Sequence, residues 1–214
     1  MQYKIEIEDI KEALKTGLPG VKAHKTMAPP HREIIKPVNT DNIHASAVLI
    51  LVFYQNEELY LCLTQRNKNM KNHPGQISFP GGRCELYEKN PVDTALRETH
   101  EEIGIHPGKI SIIGKLTDLY VPVSKFIIHP YVGFSSEYLE FKINHSEVEE
   151  LIVLKFSDFF NSSNRKIRNM KTIKGNLNVP CYVVSKHVIW GATSMMIAEL
   201  EVIIRQYYSR RGAH

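Results

Sequence analysis

Three glutamates, Glu98, Glu101 and Glu102, fall within the string Arg97-Glu98-Thr99-His100-Glu101-Glu102-Ile103-Gly104-Ile105. On a helix, positions i, i+3 and i+4 share one face, so this spacing predicts three carboxylates held against one point in space. Like charges so placed repel, and the arrangement costs stability unless a cation sits among them. Hard oxygen donors of this kind suit Mg²⁺ or Mn²⁺. Upstream, Phe79-Pro80-Gly81-Gly82 supplies backbone free to bend, and a carbonyl from Gly81 or Gly82 is a candidate further donor.

A solvated acidic helix face is the plain reading of a lone Glu-x-x-Glu-Glu string. The residues around it favour a site instead. Pro91 and Asp93 suit a first helical turn, and Gly104 is the residue type expected at a left-handed helix end. Ala95, Leu96, Ile103 and Ile105 are candidate apolar anchors for the helix.

These residues resemble the Nudix box, the signature of metal-dependent hydrolases that cleave nucleoside diphosphates linked to another group. Gly82, Glu88, Arg97, Glu98, Glu101, Glu102, Gly104 and Ile105 fill its positions. One additional residue separates Glu88 from Arg97, and Thr99 stands where an aliphatic is common. A second stretch is similar to the extra signature of the coenzyme A diphosphatase branch: Leu63-Thr64-Gln65-Arg66, Lys71, and His73-Pro74-Gly75-Gln76-Ile77-Ser78-Phe79-Pro80-Gly81-Gly82. Cys62, Asn67 and Lys71 depart from that branch's residue types. The Lys71 change keeps the charge and loses a bidentate fork.

The resemblance covers roughly residues 44 to 205. It implies an α/β fold, an α/β/α sandwich with a mixed β-sheet, and hydrolysis of coenzyme A or its thioesters to 3′,5′-ADP and (acyl-)4′-phosphopantetheine. Another nucleoside diphosphate such as ADP-ribose is the alternative substrate. A ligand-sensing or RNA-binding module without turnover is the rival from another class. Metal ligands are expected at Glu98, Glu102, Glu101 and the Gly82 carbonyl, with Mg²⁺ or Mn²⁺ as cofactor. Arg97 is expected to pair with Glu88 or a helix glutamate and fix its rotamer. The base that activates water is open between Glu98 and a swinging carboxylate among Glu147, Glu149 and Glu150, with Glu149 as the leading candidate of those three. Arg66, Lys71, Gln76 and Arg83 are candidates for the substrate's phosphates.

The elements that must position these groups are legible in outline. Residues 5 to 15 read as a short amphipathic helix, and the Pro-, His- and Lys-rich stretch to about Asn42 reads as an extended arm. Residues 1–43 therefore form an N-terminal helix and arm ahead of a hydrolase domain at 44–210. Ala45 to Tyr54 is a buried strand and Leu59 to Thr64 its antiparallel partner. Further strands are expected at Lys109 to Leu116, Phe126 to Phe134, Glu150 to Phe156, Lys171 to Ile173 and Cys181 to Val184. A long helix opens at Gly191 and runs through about Tyr208. Strands interrupted by a central and a C-terminal helix suggest a mixed sheet covered on two faces.

Composition narrows the class. The 214 residues carry a net charge of +4, a mild excess that helps recruit a polyphosphate and does not by itself indicate nucleic acid. Three cysteines without C-x-x-C spacing indicate neither a disulfide framework nor a zinc site. No apolar stretch is long enough to span a bilayer, and no signal-peptide core is present, so cytoplasm is the expected compartment. A homodimer is compatible with the long N-terminal arm.

Overall fold

A computed structural model describes residues 4–30, 32, 43–70, 74–172 and 175–212. The order is α1 (Ile7–Leu14), α2 (Val21–His24), β1 (His44–Gln55), β2 (Glu58–Arg66), β3 (Ile77–Ser78), β4 (Gly81–Arg83), α3 (Pro91–Ile103), β5 (Ser111–Lys115), β6 (Leu119–Val121), β7 (Phe126–Ser135), β8 (Val148–Lys155), β9 (Arg165–Thr172), β10 (Gly175–Val184), β11 (His187–Trp190) and α4 (Ala192–Arg210). The main sheet runs β3-β2-β1-β7-β5, with β4 added to β1, β6 to β7 and β8 to β2. β1 and β7 are parallel and the other pairings are antiparallel, so the sheet is mixed. A second, three-stranded sheet has the order β11-β10-β9.

The uninterrupted apolar run of β1 follows from coverage on both faces. Ala47, Leu49, Leu51 and Phe53 join a core with Ala95 and Ile103 of α3. Ile50 and Val52 point the other way, into the larger core that includes Met195, Leu200 and Ile203 of α4. This is the α/β, two-faced arrangement expected from the sequence.

α3 forms where its caps predict. Asn90 and Asp93 make a reciprocal capping box, Pro91 occupies the first turn, and Gly104 closes the helix in the left-handed region at φ 78°. After it, the segment 142–144 runs back along the helix end. Lys142 N–H donates to the Ile103 carbonyl and Asn144 N–H to the Glu102 carbonyl, both at 2.9 Å.

α4 carries two buried carboxylates among the apolar residues that it packs into the core. Glu199 accepts hydrogen bonds from Gly20 N–H (3.1 Å), Thr117 N–H (3.2 Å) and Thr117 Oγ1 (2.5 Å), and lies 2.8 Å from His24 Nε2. Glu201 accepts from Arg165, Tyr182 and Arg205. The first set ties the N-terminal segment to α4; the second ties the small sheet to it.

Several elements differ from the sequence expectation. The arm contains the short helix α2, and most of its remainder, 33–42, lies outside the described residues. β9 is much longer than the three-residue strand expected at its C-terminal end. Its Arg165-Lys166-Ile167-Arg168 run lacks an apolar face because it is the edge of the small sheet. β4 has two glycines and so no strand signature; a Cβ on Gly81 would lie 2.3 Å from the Ala47 carbonyl oxygen, and only glycine lets these strands pair. β8 begins at Val148, placing Glu149 and Glu150 on a strand rather than in a loop.

Candidate metal centre and active site

Glu98, Glu102 and Glu147 each present a carboxylate oxygen within 4.8 Å of the others. Glu98 and Glu102 come from successive turns of α3, while Glu147 comes from the loop ahead of β8. Glu101 does not complete the trio on the helix face. Its carboxylate turns to Arg97, 2.8 Å from Nη1, and is half exposed. An i+3 side chain is free to lean either way round the helix, and the arginine four residues earlier draws it off the shared face.

Arg97 holds the acidic helix together. Its Nε donates to Glu88 Oε1 (2.9 Å), its Nη1 to Glu98 Oε1 (2.7 Å) and Glu101 Oε2, and its Nη2 to the Arg83 carbonyl (3.3 Å). Glu88 also accepts from Thr94 Oγ1 (2.6 Å) and Glu85 N–H (2.7 Å). Although burial acts to raise the Glu88 carboxyl, the hydrogen bonds from Arg97 and Thr94 hold it below the usual range. Glu98 is thereby fixed in one rotamer by a guanidinium that is itself braced from the far side. From the sheet side, β4 lies against Glu98: a Cβ on Gly82 would fall 2.3 Å from the Glu98 carboxylate carbon.

The electrostatics record an unrelieved negative cluster. Burial pushes the Glu102 carboxyl up to about 8; Arg66 opposes the shift and the charges of Glu98 and Glu147 add to it. Glu98 is raised as well, by burial first, against the pull of Arg97. Three carboxylates this close, with one pushed toward its neutral form, fit a divalent cation bound through oxygen. The donor set therefore suits the metal that the sequence implied.

Arg66 at the end of β2 places Nη1 3.9 Å from Glu102 Oε1, and its buried Nε has no partner among the described residues. Thr64 Oγ1 donates to Glu102 Oε2 at 3.4 Å. Gln76 lies on the returning loop, its carbonyl accepting from Arg66 N–H at 3.0 Å. Arg83 is exposed and directs Nη2 to His44 Nδ1 at 3.1 Å. Lys71 lies outside the described residues. Glu149 stands apart from the cluster, where Lys68 Nζ donates to it at 3.3 Å and holds its carboxyl below the usual range. Glu150 pairs with Lys186 at 2.9 Å. Cys62, buried behind Glu102, is pushed by burial up to about 12 and is no nucleophile.

Residues 43–171 match the NUDIX domain family. The chain belongs to the Nudix hydrolases. It is 31% identical over 163 residues to a probable nudix hydrolase of Schizosaccharomyces pombe, covering 76% of this chain and 56% of that protein's length. Uncharacterized Nudix hydrolases called NudL are similar too: 28% identical in Photorhabdus laumondii, covering 77% of this chain and 87% of the relative, and 30% identical in Yersinia enterocolitica, covering 74% and 80%. Among solved structures, a binary complex of a C. elegans Ap4A hydrolase aligns with a TM-score of 0.49 at 13% identity, covering 80% of this chain and 100% of that one. The NUDIX domain of Shewanella oneidensis NrtR, complexed with ADP ribose, aligns with a TM-score of 0.46 at 18% identity, covering 59% and 81%.

Within this Nudix hydrolase, Glu147 is the cluster member that helix periodicity alone does not reach. It sits 45 residues beyond Glu102, an interval read directly from the two numbers. Its signal in the sequence is the acidic string Glu147-Val148-Glu149-Glu150, in which the strand boundary decides which side chain turns inward. Among the described residues, no helix is long and apolar enough to cross a membrane.

Proposed function

We propose that this Nudix hydrolase is a Mg²⁺- or Mn²⁺-dependent diphosphatase acting on coenzyme A or its thioesters, releasing 3′,5′-ADP and 4′-phosphopantetheine or its acyl form. The observation that carries the reading is the placement of Thr64 and Arg66, both from the stretch similar to the coenzyme A diphosphatase signature, beside Glu102 of the carboxylate cluster, at 3.4 and 3.9 Å.

Glu98, Glu102 and Glu147 would hold the cation, with the Gly82 carbonyl as a further donor. When bound, a divalent cation neutralises phosphoryl oxygens and lowers the pKa of water. Arg97 keeps Glu98 in place. Arg66, whose side chain is partly exposed with Nη1 3.9 Å from Glu102, is poised to donate to a phosphoryl oxygen of the substrate. As water oxygen bonds to phosphorus and the bridging P–O bond breaks, the departing phosphate takes the electron pair and a cluster carboxylate takes the proton. Glu147 suits that proton transfer because it is on a loop and pairs with no arginine among the described residues. Its Oε1 accepts a hydrogen bond from Asn144 Nδ2 at 3.3 Å, a weaker restraint than the guanidinium on Glu98. Of the carboxylates that the sequence left open for this role, Glu149 is paired with Lys68 outside the cluster and Glu147 lies within it, which favours Glu147.

Incubation with coenzyme A, ADP-ribose and dinucleotides in Mg²⁺ or Mn²⁺, with products identified by mass, tests the proposal. Release of 3′,5′-ADP from coenzyme A, lost in Glu102→Gln, supports it. Preferential cleavage of ADP-ribose assigns the alternative substrate, and binding without products from any substrate overturns the enzymatic reading.

A further inference from the structure

An open recess of about 460 Å³ lies round the helix from the carboxylate cluster, lined by His100, Glu101 and Gly104 of the α3 end and by residues 142–145. His100, His145 and Lys142, which carry two imidazoles and an ammonium, line it together with Asn144. Its single carboxylate, Glu101, is turned to Arg97 at 2.8 Å, a guanidinium it shares with Glu88 and Glu98. The last helix carbonyls, which would otherwise repel an anion, are taken by Lys142 N–H and Asn144 N–H. Asn144 also joins the recess to the site, because the residue that lines the recess donates to Glu147 of the cluster.

The close fit of the segment 142–144 against the helix depends on Gly104, where a Cβ would approach Lys142 Cβ to 2.7 Å. The lysine stem is thus anchored at its base while its ammonium remains exposed. This gives a cation of fixed origin beside two further nitrogen donors, an arrangement suited to a tetrahedral oxyanion.

We propose that this recess is an anion subsite for a phosphomonoester carried by the substrate one sugar away from the scissile diphosphate. The inference deepens the diphosphatase reading and rests on it for the position of the diphosphate. The subsite would make the remote phosphate a determinant of affinity, with Lys142 and His145 as its principal donors and His100 closing the helix side.

The test uses the full chain and ligands that differ only in the remote group. Calorimetric titration is carried out with 3′,5′-ADP and with 5′-AMP, and steady-state kinetics with coenzyme A and dephospho-coenzyme A. The wild type is expected to favour the ligand bearing the extra phosphate by about tenfold or more, the range of a charge-assisted contact. In Lys142→Ala/His145→Ala this preference should collapse through KM rather than kcat, and Lys142→Arg should retain most of it. Preference that survives the double variant overturns the subsite, as does an equal weakening of both ligands, which would mark a site for the base. If coenzyme A is cleaved but the preference ignores the double variant, the subsite falls and the diphosphatase reading stands. If the double variant erases a binding preference in a chain that cleaves no coenzyme A, the subsite stands and the diphosphatase reading falls.

Discussion

The backbone of Gly82 rests on the carboxylate of Glu98: a methyl group added at position 82 would lie 2.3 Å from Glu98 Cδ and Oε1. The obstructed atoms belong to the far end of a flexible side chain, not to backbone, so the fold can yield while the carboxylate cannot stay. Gly82→Ala is expected to fold, with a small loss of thermal stability, and to bind Mn²⁺ roughly 10- to 100-fold more weakly, the cost typical of misplacing a ligand. Circular dichroism and a Mn²⁺ titration check the two halves, and unaltered Mn²⁺ affinity would refute the packing argument.

Glu102 gives a pH dependence with a definite sign. Its carboxyl rises from an ordinary 4.5 to about 8 on folding, so the native state holds a proton that the unfolded state has released across that interval. The resulting stabilisation is complete below about 4.5 and is lost as the pH climbs through about 8. A divalent cation takes over the proton's role, so Mg²⁺ or Mn²⁺ should raise the melting temperature more at pH 8 than at pH 6. Glu102→Gln should be as stable as the wild type or more so without metal, and should lose the metal-induced shift.

Glu147 and Glu149 are two residues apart but occupy different surroundings, one in the cluster and one with Lys68. Glu147→Gln is expected to lower kcat by about 10²-fold or more, the usual span for a lost proton acceptor. Glu149→Gln should change kcat little. Equal effects from the two substitutions would remove Glu147 from the role proposed for it.

Asp118 forms an ion-paired knot away from the cluster, with His129 Nδ1 at 2.9 Å and Lys115 Nζ at 2.8 Å. Burial acts to raise its carboxyl, yet the two hydrogen bonds outweigh it and hold the group down from 3.8 to about 2. A depressed carboxyl stabilises the fold above its unfolded value and ceases to do so as the pH falls through the folded one. Denaturant melts between pH 5 and 2 should therefore show a loss of about 1–2 kcal/mol, discounted for partial exposure and absent in Asp118→Asn.

The parts of this molecule that announced themselves in sequence are those where local chemistry and tertiary demand agree. β1 is apolar without alternation because both its faces are covered, and α3 carries its own start and stop signals in Pro91, Asp93 and Gly104. Sequence fell short where a residue's setting is decided by a partner or a strand boundary that periodicity does not show. Glu101 shares a helical face with Glu98 on paper, yet a neighbouring guanidinium claims it. Glu147 enters the cluster because a strand begins at Val148 rather than near Glu150. β4 and β9 were obscured for opposite reasons, one by glycines required for close approach and the other by the cations of a sheet edge.

Glu199 collects donors from positions 20, 24 and 117, all of them outside α4. A fragment trimmed to the match with the NUDIX domain, residues 43–171, would discard both the acceptor and two of its three contributing positions. It would also strip α4 from the apolar face of β1 and β2. The stretch that matches the family domain is therefore smaller than the stretch that must fold together, and a gene design that respects only the former would yield an exposed hydrophobic slab rather than a working enzyme.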